Sequence, residues 1–508
     1  MAVRLIVWLC GLAVSGSVHA ENVPQFMPVP VAEHVYAGGW EHFVGGGVAA
    51  FDCDGDALPE LYAAGGTNPG MLLRNTTQGP GQPLSFRENT PDALALTGMT
   101  GAYPIDVNSD GWMDLAVLRV GPNLLMRGLG KCEFAPFADL NFQSKDHWTT
   151  AFSATWEKGN TLPTLAFGTY VDRADPNGPF GTCGDPQLYR PTGSTYQPAQ
   201  PLTPGFCVLS MLFSDWSRTG RADLRLSNDR HYYVRGGQEQ LWEMAAQPRL
   251  FTQDDGWQPY AIWGMGIASR DLTGDGFADV YLTSMGDQKF QLFDPEARGP
   301  VYRDATYARG TTAHRPHVGQ DGRPSTGWHA AFGDVNNDGR DDIFVAKGNV
   351  EQMPGMAMED PNSLLIQGAD GTFADLSEPA GIASMARSRG AALVDLNLDG
   401  ALDLAVVNRR AAMEVYENTT MSGNWLLVSL DMTGSNRTGI GAVIEIDQGD
   451  SRHTREVTIG GGHAGGDAGF HHFGLGTAQS VQLRVVWPDQ HVGPWQQVNT
   501  NQILRLHR

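Results

Sequence analysis

Basic residues are scarce in this chain of 508: 35 lysines and arginines stand against 56 aspartates and glutamates, a formal net charge of -21. Neutralising a phosphate backbone needs cations in excess, so the balance argues against a nucleic-acid partner. Long apolar runs are scarce as well. Leu5 to Val14 alone approaches membrane relevance, and it is too short to span a bilayer. It follows Arg4 and ends in Val18-His19-Ala20 before Glu21, which predicts a cleaved signal peptide over 1–20 and an exported, periplasmic or extracellular protein. Cysteine is sparse: Cys10 lies in that leader, leaving Cys53, Cys132, Cys183 and Cys207. With no CxxC pair, thioredoxin-like chemistry and zinc ribbons lack support. An even set in an exported chain suggests disulfides, and of the three possible pairings Cys183 with Cys207 is the nearest. GxSxG and HExxH are both missing. Gly460-Gly461-Gly462-His463-Ala464-Gly465 fits GxGxxG, but no helical pattern follows it, and it reads as a glycine-rich loop.

What the chain has in excess is glycine, 63 residues, beside 30 prolines. Tight turns in that number favour an all-β protein of many short strands. The chain also repeats. Five segments carry oxygen-bearing side chains at positions 1, 3, 5 and 9. They are Asp52, Asp54, Asp56 and Glu60; Asp106, Asn108, Asp110 and Asp114; Asp271, Thr273, Asp275 and Asp279; Asp334, Asn336, Asp338 and Asp342; Asp395, Asn397, Asp399 and Asp403. Worn copies begin at Asp215, which keeps the frame to Asp223, and at Trp156, which has lost the acids. Seven units of roughly sixty residues are each long enough for four strands. Phe26 to Val29 resembles a fourth strand yet precedes the first loop, while the last unit fades after Asn418. An N-terminal strand completing the last unit would close a ring and remove its open edges. The expectation is a seven-bladed β-propeller over residues 21–420, followed by a small β domain over 424–508.

Oxygens at alternate positions of a tight loop converge on one point, and glycine at position 6 permits the turn. Hard oxygen donors without His or Cys suit Ca²⁺. An EF-hand would need Glu at position 12, where Val117, Leu282, Val345 and Val406 stand inside strand-like runs. About five structural calcium sites are expected, with Asp215 and Trp156 starting loops that are metal-poor or metal-free. The alternative is a set of Asp-rich turns without metal, since Asp and Asn favour turns anyway.

These loops and their flanks, such as Phe332 to Val345 followed by Asp370-Gly371-Thr372-Phe373, resemble FG-GAP/VCBS repeats, the class found in integrin α-chain propellers. After Asn418, Ser435 to Ala442, His472 to Gly476 and Val486-Trp487-Pro488 resemble the ASPIC/UnbV domain. The pairing is similar to the cartilage acidic protein family and its bacterial relatives. The resemblance implies a calcium-binding propeller with an appended β domain and leaves the ligand open. In that family the glycine-rich stretch leads to an aromatic residue, whereas here it leads to His463.

Residues entering each first strand should lie on the mouth opposite the acidic loops. Counting back from the loops collects Trp40, His42, His147, Trp148, Trp263, Trp328, His329, Arg387 and Arg389. His42, Trp148, Trp263, His329 and Arg387 are the predicted ligand-facing set, suited to an acidic or carbohydrate-like ligand; blade-to-blade packing by tryptophan is the competing account. The expected function is a non-catalytic protein- or glycan-binding module. The alternatives are an enzyme using His42, His147 or His329 as acid or base, or an accessory protein of a biosynthetic pathway.

Overall fold

Each acidic loop interrupts an apolar run, and the two halves of that run fold back on each other as antiparallel strands. The computed structural model describes residues 23–175, 181–229, 236–319, 321–420, 422–449 and 451–508; the expected signal peptide lies outside them. Among the described residues the first strands of seven antiparallel units are Val48–Phe51, Met99–Ile105, His147–Thr155, Val208–Ser214, Gly264–Arg270, Gly327–Gly333 and Arg387–Val394. Each pairs across its loop with a second strand, then a third and a fourth. His147 and Trp148 also pair with Gly121 and Val120, joining the second and third units into one sheet. In the seventh unit the fourth strand comes from the far end of the chain: Phe26–Pro28 pairs with Glu414–Asn418, Phe26 opposite Asn418.

The first strand of each unit lies against the first strand of the next, and Arg387–Val394 lies against Val48–Phe51. The order is therefore cyclic and the arrangement propeller-like. Strands buried on both faces need apolar side chains on both, which is why Ile343–Ala346 and Leu404–Val407 run without polar alternation. Between the units these residues form successive apolar layers, such as Tyr281, Phe290, Phe332, Ile343 and Val345.

The C-terminal residues form two further sheets. Asn424–Asp431 lies between His471–Gly476, antiparallel, and Gln502–His507, parallel. Arg452–Glu456, Val443–Asp447, Ser480–Val486 and Gln496–Asn499 form the second sheet. Their core is continuous with the ring, since Leu426, Val428, Ile444 and Leu483 belong to the same apolar cluster as Tyr103, Phe152 and Phe167.

Between these sheets the chain threads the ring. Ile459 to Ala468 bridges to Ala154, Leu212, Ile267, Ala102 and Ala50, one residue from each of five first strands. Gly461 N donates to Met211 O at 2.6 Å, Gly462 N to Ile267 O at 2.7 Å, and Ala468 N to Ala50 O at 3.0 Å. The glycines of this stretch are dictated by closeness. A Cβ on Gly465 would sit 2.3 Å from Val48 O, and one on Gly47 or Gly101 would sit 1.8 Å from Ala464 O. The glycine-rich loop read from sequence is thus a segment laid along the inner wall of the ring.

Candidate functional site

The acidic loops share one hydrogen-bonded frame. The position-1 carboxylate accepts the backbone N–H groups of positions 5 and 6: at Asp334 from Asp338 at 3.0 Å and Gly339 at 2.7 Å, at Asp395 from Asp399 at 3.1 Å and Gly400 at 2.7 Å. Asp106 and Asp271 repeat this. The position-9 acid ties the loop to the third strand. Asp342 accepts from Val335 N at 3.1 Å and Gln367 N at 2.9 Å, and Asp403 from Leu396 N and Asn418 N, both at 2.8 Å. Sequence reading gave position 9 a single role as a metal ligand; here it also holds neighbouring strands. An ionised carboxylate offers about four lone-pair sites, so two N–H partners leave room for a cation.

These acids are held at an electrostatic cost. Burial raises Asp106 to about 6, Asp279 and Asp395 to about 7, and Glu60 and Asp114 to about 8. Asp334, Asp342 and Asp403 are also pushed well up by burial, with the neighbouring loop carboxylates adding to it. In the first loop one oxygen each from Asp52, Asp54 and Glu60 lies within 4.8 Å of the others. Asp54 Oδ1, Glu60 Oε1 and, in the last loop, Asn397 Oδ1 are buried without a hydrogen-bond donor. Convergent carboxylates and orphaned oxygens are the donor set a hard divalent cation accepts. The loop at Asp215 has the same frame, but Trp216 Nε1 at 2.8 Å and Arg221 satisfy Asp223, and a serine and a threonine replace the middle acids.

The second domain covers this face. Gly476 N donates to Asn337 O at 3.0 Å, Asn436 N to Ser109 Oγ at 3.0 Å, and Asp215 N to Glu456 at 2.7 Å. Leu58 and Leu398, inside the first and last acidic loops, pack on Leu427.

At the opposite mouth lies a cavity of about 500 Å³. Its aromatic wall is Trp40, Phe43, Trp148, Tyr170 and Trp328, with Met265, Met285 and Met353 beside them. Trp40 meets Trp148 edge-on at 4.8 Å between ring centres, and Trp148 meets Tyr170 at 4.9 Å. Trp328 is fixed on three sides, with Arg389 4.0 Å over its ring, His463 at 5.0 Å, and its indole N–H donating to Gly348 O at 2.7 Å.

The predicted mouth residues divide. Trp148, 1% exposed, lines the cavity. Half-buried Trp263 pairs through its backbone with the lining residue Asp229. Arg387 reaches the lining residue Glu351 at 3.9 Å. His42 is buried, and burial lowers its pKa. His329 corrects the expectation. It is 5% exposed and faces the threaded segment, its Nδ1 accepting His463 N at 3.1 Å, and burial lowers its pKa to about 4. The reason is that the ring's inner wall is occupied by the protein's own C-terminal chain, which the ordering of first strands did not reveal. Sequence reasoning also missed Tyr170, Met285 and Val350 to Pro354, which follow second strands. That connection lies at the same end of the ring as the start of the first strand, so counting forward from each second strand would have found them.

Cys53 is bonded to Cys132 and Cys183 to Cys207. No helix among the described residues is long and apolar enough to cross a membrane.

Residues 432–508 match the family model described as ASPIC and UnbV. No curated protein matches the chain. Among solved structures, a lectin from Burkholderia pseudomallei aligns at 10% identity and a TM-score of 0.45, over 74% of this chain and 96% of its own. An Agrocybe aegerita lectin, whose structure concerns recognition of non-reducing terminal N-acetylglucosamine, aligns at 15% and 0.39, over 71% and 88%. The WD40 domain of Toxoplasma gondii coronin aligns at 12% and 0.40, over 79% and 87%.

Proposed function

We propose that this chain is an exported, non-catalytic binding module: a seven-bladed propeller of the FG-GAP/VCBS kind, stabilised by calcium in about five acidic loops and presenting its ligand face at the opposite mouth. The observation that carries the calcium reading is the repeated loop frame with its buried position-9 acids, together with the first loop, where Asp52, Asp54 and Glu60 converge and Glu60 Oε1 lacks a donor. Asp52, Asp54, Asp56 and Glu60, and their counterparts through Asp403, would hold the ions; a bound divalent cation would neutralise the buried acids, since among the described residues arginines reach only Asp54, Asp110 and Asp338, from Arg74, Arg127 and Arg340. Two disulfides accord with an oxidising compartment outside the cytoplasm. A binding role is favoured over an enzyme because, of the three candidate histidines, His329 is sealed in the ring and His42 is buried, leaving half-buried His147 alone. Elemental analysis of the desalted protein tests the calcium reading. About five equivalents of calcium per chain are expected, falling in an Asp338→Ala, Asp399→Ala double variant; a wild-type chain that retains no calcium overturns it.

A further inference from the structure

We propose that the mouth cavity binds an uncharged, apolar small molecule carrying an aromatic ring. This rests on the reading of the mouth as the ligand face and narrows it. Three observations favour this class over an acidic or carbohydrate ligand.

The first is size. At about 500 Å³ the cavity falls within the range of roughly 300–1,000 Å³ typical of small-molecule sites. The second is the wall. Tryptophan, tyrosine and methionine dominate it, and methionine thioethers adapt to aromatic rings of varied shape. A sugar needs several convergent hydrogen-bonding groups, and among the described lining residues the neutral ones are chiefly the side-chain amide of Gln352 and the indole N–H of Trp148, which has no acceptor. The third is charge. The two acidic lining residues, Asp229 and Glu351, already have donors. Asp229 accepts from Tyr170 at 2.5 Å, and Glu351 pairs with Arg409 at 2.9 Å and with Arg410 and Arg387. No arginine, lysine or histidine is among the described lining residues, so the wall offers an anionic ligand no direct partner, and the two acids that could hold a cation are already engaged. A neutral apolar occupant needs neither.

The walls are also preorganised. Trp328 is clamped by Arg389, His463 and the Gly348 carbonyl, so its ring is in place before any ligand arrives. Rigid aromatic walls lower the ordering cost of binding.

The test uses N-phenyl-1-naphthylamine, a neutral aromatic probe whose fluorescence rises in apolar surroundings, with the full-length mature protein. Saturable binding at one probe per chain is expected, with tryptophan emission quenched in parallel. Met353→Glu and Trp40→Ala should each weaken it at least tenfold while the melting temperature moves little, since both residues are only partly buried. Gln482→Ala, exposed on the C-terminal sheet away from the cavity, should leave the affinity unchanged. No saturable binding by the wild type overturns the proposal. If the probe does not bind but a panel of soluble oligosaccharides does, and Trp40→Ala abolishes that binding, the mouth reading stands and the ligand class is wrong. Probe binding that survives both mouth variants overturns the cavity as the site and removes its support for the mouth reading.

Discussion

At one end of the ring, five loops set the same kinds of oxygen at the same positions, each tie down their own backbone with the position-1 carboxylate, and lie beneath the C-terminal sheets. At the other end, Trp148 and Trp328 enter their first strands while Trp40 precedes one and Tyr170 follows a second strand, and together they surround a cavity. The first end is built by repetition and the second by departures from it. A repeated loop does one job several times, so its chemistry is written into every unit. A single cavity is made once, from connections that the repeat does not constrain. The threaded segment joins the two ends: it leaves the second domain, runs along the inner wall, and places His463 against Trp328 at the rear of the cavity.

The strongest way to break this comparison is to pull the two ends apart. Gly465→Val would place side-chain carbon where a Cβ already meets Val48 O at 2.3 Å and Val48 N at 2.6 Å, both backbone atoms that cannot step aside. Overpacking against backbone costs about 3 kcal/mol or more. The variant should melt well below the wild type or fail to accumulate. Gly322→Ala, where a Cβ meets nothing within 4 Å, is the control and should behave as wild type. Calorimetry of the pair checks this, and an unchanged melting point for Gly465→Val would remove the threaded segment from the account.

A smaller effect separates the ends by charge. Without calcium, Glu60 and Asp114 titrate at about 8 and Asp279 and Asp395 at about 7, against roughly 4 in an unfolded chain. A group whose folded pKa is raised contributes stability at low pH and loses it as pH rises through the folded value. The chelated protein should therefore gain stability as pH falls from about 8.5 to about 6.5. Below about 6.5 the acids go on gaining down to their unfolded value near 4, and three buried histidines oppose them, because burial lowers His329 and His472 to about 4 and His463 to about 3. Their stabilisation is present above their unfolded value near 6.5 and is lost as pH falls through the folded values. Calcium competes with protons, so the melting-temperature gap between calcium-loaded and EDTA-treated protein should be wider at pH 8 than at pH 6.5. Each site contributes about 2.7 kcal/mol at a hundredfold excess of ion over its dissociation constant. Scanning calorimetry at the two pH values measures the gap; no gap at either one removes the loops from the calcium account.

How much of each end was legible in the sequence follows from the same contrast. Spacing alone located every acidic loop, because Asp, Asn and Gly at fixed offsets are needed for a fixed turn. The N-terminal strand could be foreseen because Phe26 to Pro28 looked like a fourth strand out of place. The mouth was only half legible. Trp148 is reached by counting back from its loop, but His329, expected to face a ligand, lies against His463, more than a hundred residues away. Long-range threading has no local signal. Its one trace was the glycine run from Gly460 to Gly466 together with Gly47 and Gly101 on the first strands, and glycine in a strand marks close backbone approach without naming the partner.

The smallest expected effect lies within the acidic face itself. Position 6 of the loop has a left-handed backbone throughout: φ is 92° at Gly111, 91° at Gly276, 87° at Gly339 and 88° at Gly400. The first loop keeps the same turn with an alanine, Ala57, at φ 76°. Its N–H still donates to Asp52 at 2.8 Å, as the glycines donate to their own aspartates, so the frame has overridden the residue. A left-handed alanine costs about 1–2 kcal/mol, and replacing it with glycine gives back roughly 0.5–1 kcal/mol through the unfolded chain. Ala57→Gly should therefore stabilise the protein by up to about 1 kcal/mol, read as a rise of a degree or two in melting temperature. Because Ala57 lies at the loop end, the same substitution should leave N-phenyl-1-naphthylamine binding at the mouth untouched. A fall in melting temperature would mean that the methyl group packs usefully under the second domain, beside Leu58 and Leu427, and that contact with that domain outweighs backbone strain at this position.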